Sequence, residues 1–134
     1  MNGKVFADTN ILVYAYTSSE EDRREKVLNT LDDCHLVIST QVIKEFISVM
    51  VGKFKQPISD MRLRVNDIAD IADIVDENLE LIQDAIEIHK RYEYQFYDSL
   101  IIAAALKANC KILLSEDMHN GHVIDGLTIF NPFE

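Results

Sequence analysis

Apolar residues along this chain follow two rhythms. Short unbroken runs (Val5 to Ala7, "HLVIS" at 35–39, Ile74 and Val75, "KILLS" at 111–115, "LTIFN" at 127–131) read as buried strands. Between them, apolar positions recur every third or fourth residue, the period of a helix. Asn10 to Tyr16 forms a first helical turn or two, and "TSSEEDRREKVLNTLDDC" (17–34) opens with the capping-box pattern Ser18-x-x-Glu21. In "TQVIKEFISVMVGKF" the stripe is Val42, Ile43, Phe46, Val49 and Met50, with Thr40 as the expected cap and Pro57 beyond the end. Further helices are expected from Ser59 to about Ala72, where "IADIADI" reflects helical period rather than a repeat, and from Asn78 to Tyr92. "YDSLIIAAALKANC" is apolar on nearly every side from Leu100 to Leu106, which predicts a buried helix. "EDMHNGHVIDG" reads as a polar, glycine-containing loop.

Strands alternating with helices point to an α/β fold: a three-layer α/β/α sandwich around a mainly parallel sheet. No Pro/Gly/Ser-rich linker divides the 134 residues, so 1–134 is expected to be a single domain. With 48% hydrophobic residues the chain can bury a real core. Cys34 and Cys110 make neither a metal-finger spacing nor a disulfide framework, and both are expected as small buried side chains. No leader pattern and no membrane-length apolar run is present, so a cytoplasmic protein is expected. The net charge of −10 disfavours broad nucleic-acid binding through phosphate neutralisation. It suits a basic partner or bound divalent cations.

Four acids give that charge a chemical meaning. In a doubly wound sheet, ligands bind outside the carboxyl ends of the strands, where strand order reverses. Asp8 follows "KVFA" and Asp117 follows "KILLSE"; Asp98 stands at the mouth of the buried "SLIIAAAL" helix; Glu45 lies on the flank of the "TQVIKEFISVM" stripe. Each has an ordinary explanation: Asp98 or Asp8 as a helix cap, Asp117 as a turn starter, Glu45 as a solvated flank. Brought together, they would repel one another by several kcal/mol unless protons or cations intervened. Lys44, the nearest base in sequence, is turned away from Glu45 by helical geometry. All-oxygen ligands suit Mg2+ or Mn2+, and a pair of such ions is a standard clamp for in-line attack on a phosphodiester.

The stretches "FADTNILVYA", "STQVIKEFISVM", "YDSLIIAAAL" and "ILLSEDMHNG" resemble, in order, the four acidic motifs of PIN domains. The likeness extends over essentially the whole chain and is to small bacterial PIN proteins such as the VapC-type toxins of toxin–antitoxin modules. It implies a PIN-like fold and a metal-dependent endoribonuclease, with Asp8, Glu45, Asp98 and Asp117 as catalytic, metal-binding carboxylates for one or two Mg2+ or Mn2+ ions. Thr9, Asn10, Ser115 and Asn120 match supporting positions. Glu116 is an extra acid, expected to face solvent because alternation sets it opposite Asp117. The implied partners are an RNA substrate, an antitoxin with a basic, amphipathic segment, and a second copy of the chain; no membrane is involved.

Two rivals remain. A receiver-type phosphoacceptor, or a phosphatase with an aspartyl nucleophile, would want a second acid beside Asp8, where Thr9 and Asn10 stand, and a receiver would want a lysine where Ser115 lies. The other is an interaction module that keeps the fold without catalysis. For RNA contacts, Arg23, Arg24 and Lys26 form one basic patch and Lys53 with Lys55 another, though an ordinary solvated surface accounts for both. His119 and His122 share the loop after Asp117. Tyr14, Tyr16, Phe46 and Phe54 read as core or interface rather than base-stacking platforms.

Overall fold

The computed structural model describes residues 3–134. Strands β1 (Lys4–Ala7), β2 (His35–Ser39), β3 (Ala72–Val75), β4 (Ile112–Leu114), β5 (Val123–Ile124) and β6 (Leu127–Phe130) form one sheet in the order β3-β2-β1-β4-β6-β5. Every pairing is parallel except β5 with β6. Strand order reverses at β1: the chain builds outward through β2 and β3, then returns to place β4 on the other side of β1. Right-handed crossovers therefore put helices on both faces of the sheet. α2 (Glu21–Leu31) and α3 (Thr40–Gly52) both pack on α1 (Thr9–Ala15), α4 (Ile58–Ile71) packs on α3, and α5 (Leu79–Tyr92) packs on α6 (Phe96–Lys107). This is the expected three-layer α/β/α sandwich.

The inner strands read as apolar runs because both of their faces are covered. Phe6, Val37, Ile38, Leu113 and Leu114 are fully buried, and Ile11, Phe46 and Ile102 meet them from the helices. α6 is buried from Ser99 to Ala105, as its all-round apolar sequence requires.

Local details depart from the sequence reading where tertiary contacts compete. α2 starts at Glu21 after Glu20, and Ser18 caps nothing; Glu21 and Asp22 in the first turn complement the helix dipole instead. Ser39, not Thr40, caps α3 by accepting the Val42 N–H at 3.3 Å. The Thr40 hydroxyl accepts the Glu77 N–H at 3.2 Å, tying α3 to the end of β3. The supposed loop 116–126 contains β5, joined to β6 through Asp125 and Gly126 at φ 48° and 86°. That Asp-Gly pair is the usual chemistry of a two-residue hairpin turn. Cys110 is buried as expected, but Cys34 is only half-buried.

Asn78 accepts the Leu81 N–H at 2.9 Å and caps α5. Asn78→Ala should lower stability by about 1 kcal/mol, read as a shifted urea midpoint, whereas Ser18→Ala should leave the midpoint unchanged.

Candidate active site

The pairing of β1 with β4 builds the first half of the site. The Asp8 N–H donates to the Leu114 carbonyl at 3.0 Å, which brings the residues after both strands together. The Asp8 carboxylate accepts the Thr9 N–H at 2.8 Å and the Ser115 hydroxyl at 2.9 Å. Asp8 is thus the N-cap of α1, and it still borders the cleft. Capping and cluster membership are not alternatives here. Ser115 also accepts the Asp117 N–H at 3.3 Å, and the Asn10 amide donates to the Asp117 carboxylate at 3.3 Å.

The packing of α1 on α3 supplies the second half. The Thr9 hydroxyl donates to Glu45 Oε1 at 2.6 Å. Gln41 reaches Glu45 Oε2 at 3.5 Å and the Tyr97 carbonyl at 3.1 Å, linking α3 to the first turn of α6. Gln41 was not picked out from the sequence, although its place one turn before Glu45 on the same helix face was a signal. Asp98 lies in that first turn of α6, which Gln95 caps, so the capping reading of Asp98 does not hold.

Asp8, Thr9, Asn10, Glu45, Asp98 and Asp117 line one cleft of about 330 Å3, with Ser48 and Val49 on its wall. Ser115 supports it from beneath. Asn120, the remaining expected supporter, does not line it. Its side chain accepts the Asn131 N–H at 2.8 Å and donates to Glu134 at 3.0 Å, tethering the C-terminal segment. Glu116 points away from Asp117, as alternation predicted, but not into solvent. It accepts the Tyr14 hydroxyl and an Arg23 N–H, both at 2.7 Å, with 17% of its side chain exposed. Lys44 bonds Glu77 at 3.0 Å, away from Glu45. His119 and His122 cluster with Tyr92 and Tyr94 in a separate depression.

No lysine or arginine lines the cleft. Burial pushes the Asp8 carboxyl up to about 6; the Thr9 and Ser115 hydrogen bonds oppose that rise only in part, and repulsion from Asp98 and Glu45 adds a smaller push upward. Burial also raises Asp98, with Asp117 and Glu45 contributing. Among the described residues, no three His, Cys, Asp or Glu side chains already converge on one point. Three of the four carboxylates are held by hydroxyl or amide donors along the walls instead. The donor set, carboxylate oxygens without a thiolate or imidazole, fits a hard divalent cation rather than zinc.

The PIN-domain family model matches residues 5–120. The chain belongs to the PIN-domain family. No curated protein matches it significantly. Among solved structures, a toxin–antitoxin complex from Klebsiella pneumoniae is similar at a TM-score of 0.73 and 18% identity, covering 97% of this chain and 98% of that one. The Mycobacterium tuberculosis VapC20 sarcin–ricin-loop-cleaving toxin gives 0.69 and 15%, covering 84% and 91%. VapBC2 from Rickettsia felis, bound to a promoter DNA fragment, gives 0.66 and 19%, covering 96% and 98%. At these identities the likeness establishes the fold alone.

The raised Asp8 carboxyl has a consequence for stability. The folded chain holds this proton up to about pH 6, whereas the unfolded chain releases it near 3.8. The resulting stabilisation is complete below that lower value and lost as pH rises through the higher one. At neutral pH the ionised group therefore costs the metal-free protein about 1–3 kcal/mol. In chelator near neutral pH, Asp8→Asn should unfold at a higher urea midpoint than wild type, and the gain should shrink as pH falls through about 6 and vanish below about 3.8. An unchanged midpoint at neutral pH would show that burial does not strain this carboxylate.

Proposed function

We propose that this PIN-domain protein is a metal-dependent endoribonuclease acting as the toxin of a toxin–antitoxin module. The single observation carrying the reading is that four carboxylates, distant in sequence, line one cleft with no basic side chain among them. In this proposal Asp8, Glu45, Asp98 and Asp117 would hold one or two Mg2+ or Mn2+ ions. When bound, such a cation supplies charge neutralisation and Lewis acidity toward a phosphodiester.

The protein's own groups do the positioning. Thr9 and Gln41 hold Glu45 from both of its oxygens, so its carboxylate faces the cleft in one orientation. From there it can accept the proton of an attacking water. Ser115 bridges Asp8 and Asp117 through its one hydroxyl, and Asn10 fixes the second of these from α1. The substrate in this reading is RNA, which the solved VapC20 toxin also cleaves, by its description.

An antitoxin partner is supported by the description of the Klebsiella pneumoniae complex. A candidate place for it is an apolar groove of about 490 Å3 lined by Leu12, Tyr16, Leu28, Leu31, Leu36 and Ile71, with the acidic Asp32 on its wall. An amphipathic basic segment fits that combination, and one of its basic side chains could enter the carboxylate cluster in place of a metal ion. A second copy of the chain is the other expected partner.

Purified protein stripped with chelator should cleave a structured RNA only after Mg2+ or Mn2+ is added back. Because even residues behind a metal's direct ligands typically cost 10–100-fold, Asp8→Asn and Asp98→Asn should each lower the rate at least about a hundredfold. Metal-independent cleavage would overturn the mechanism. Absent metal binding with a protein partner still docking would favour an interaction module.

A further inference from the structure

A second chamber opens beside the acidic cleft. It has a volume of about 310 Å3 and shares two wall residues with the cleft, Asn10 and Val49. Its far wall carries Tyr14, Lys53 and Phe54. Lys53 closes the C-terminal end of α3, two turns beyond Glu45, and its ammonium lies over the Phe54 ring at 5.4 Å from the centroid.

The charges around this chamber differ from those next door. Glu20 and Glu116 also line it, but Arg23 engages both, Glu116 at 2.7 Å and Glu20 at 3.8 Å. Arg23 is itself held over the Tyr14 and Phe133 rings. Lys53 makes no ion pair among the described residues. Counting Arg23 with the lining Glu20, Glu116 and Lys53, the chamber's surroundings are formally neutral, and Lys53 stands outside any ion pair among the described residues, whereas the neighbouring cleft is lined by four carboxylates.

A chain of net charge −10 cannot draw RNA by general phosphate attraction. Single strands are held instead by aromatic faces for the bases and local cations for the backbone. Adjacent to the cleft, Phe54 and Lys53 supply one of each, in a space within the usual size range of a small-ligand pocket. We propose that this chamber is a nucleotide subsite, receiving one unstacked base of single-stranded RNA against Phe54 while Lys53 engages a neighbouring phosphate. The inference rests on the ribonuclease reading for its choice of ligand, and its test does not depend on cleavage.

The test uses the whole chain carrying Asp8→Asn, which keeps RNA intact, and a short single-stranded oligoribonucleotide with one central 2-aminopurine. Binding should quench the fluorophore by stacking. Adding Lys53→Met should weaken binding and reduce the slope of log K against log salt by about 0.7, the loss of one phosphate contact on a single strand. Adding Phe54→Leu should abolish the quench and weaken binding roughly five- to fifty-fold, and Phe54→Tyr should restore both. Thermal melts of each variant separate these effects from misfolding, and should Phe54→Leu fail to fold, the Lys53→Met salt slope decides. An unchanged salt slope in Lys53→Met, a full quench in folded Phe54→Leu, or no RNA binding at all overturns the subsite. If wild type fails to cleave RNA but the quench and its loss persist, the ribonuclease reading falls and the subsite stands. If wild type cleaves and the Lys53 and Phe54 variants bind as their parent does, the subsite alone falls.

Discussion

The gathering of four carboxylates into one cleft without a basic partner is the constraint around which this molecule is organised. Asp8, Glu45, Asp98 and Asp117 come from four different elements, and only folding brings them to one cleft. No lysine or arginine lining that cleft offsets their charge; neutral donors from Thr9, Ser115, Asn10 and Gln41 hold three of the four in place. Such donors orient a carboxylate and ease part of its desolvation, but they leave its charge available to a cation. The raised carboxyl of Asp8 reflects chiefly its desolvation, with a smaller push from Asp98 and Glu45.

The sheet explains how a stable framework carries this strain. β1 is central, fully buried along Val5 to Ala7, and paired on both sides. Its carboxyl end is the point where strand order reverses, so the crossovers to β2 and from α6 to β4 diverge and leave a cleft there. Around the rim the charges are compensated: Arg23 with Glu116, Lys44 with Glu77. The four acids of the cleft have no such partner.

Much of this was legible in the sequence. The apolar runs are strands because buried parallel strands need no polar alternation, and Asp8, Asp98 and Asp117 stood at element ends where topology gathers ligands, with Glu45 on the flank of the α3 stripe. What escaped prediction was set by contacts across the fold. Ser18 satisfies a capping pattern, yet α2 begins three residues past it, after Glu20. Glu116 is turned from the cleft as alternation implied, but only the folded chain supplies Tyr14 and Arg23 to bury it. Asn120 looked like a site residue by motif position, and its hydrogen bonds go to the C-terminal segment instead. β5 was the avoidable miss, since its Asp-Gly turn stands in the sequence.

The central claim, that these acids form a cation trap, is tested most directly by calorimetric titration of chelator-stripped protein with Mn2+ near pH 7. The account predicts saturable binding of one or two ions, lost when Asp8 or Asp117 becomes asparagine. Heats no larger than dilution, or binding that survives both substitutions, would contradict it.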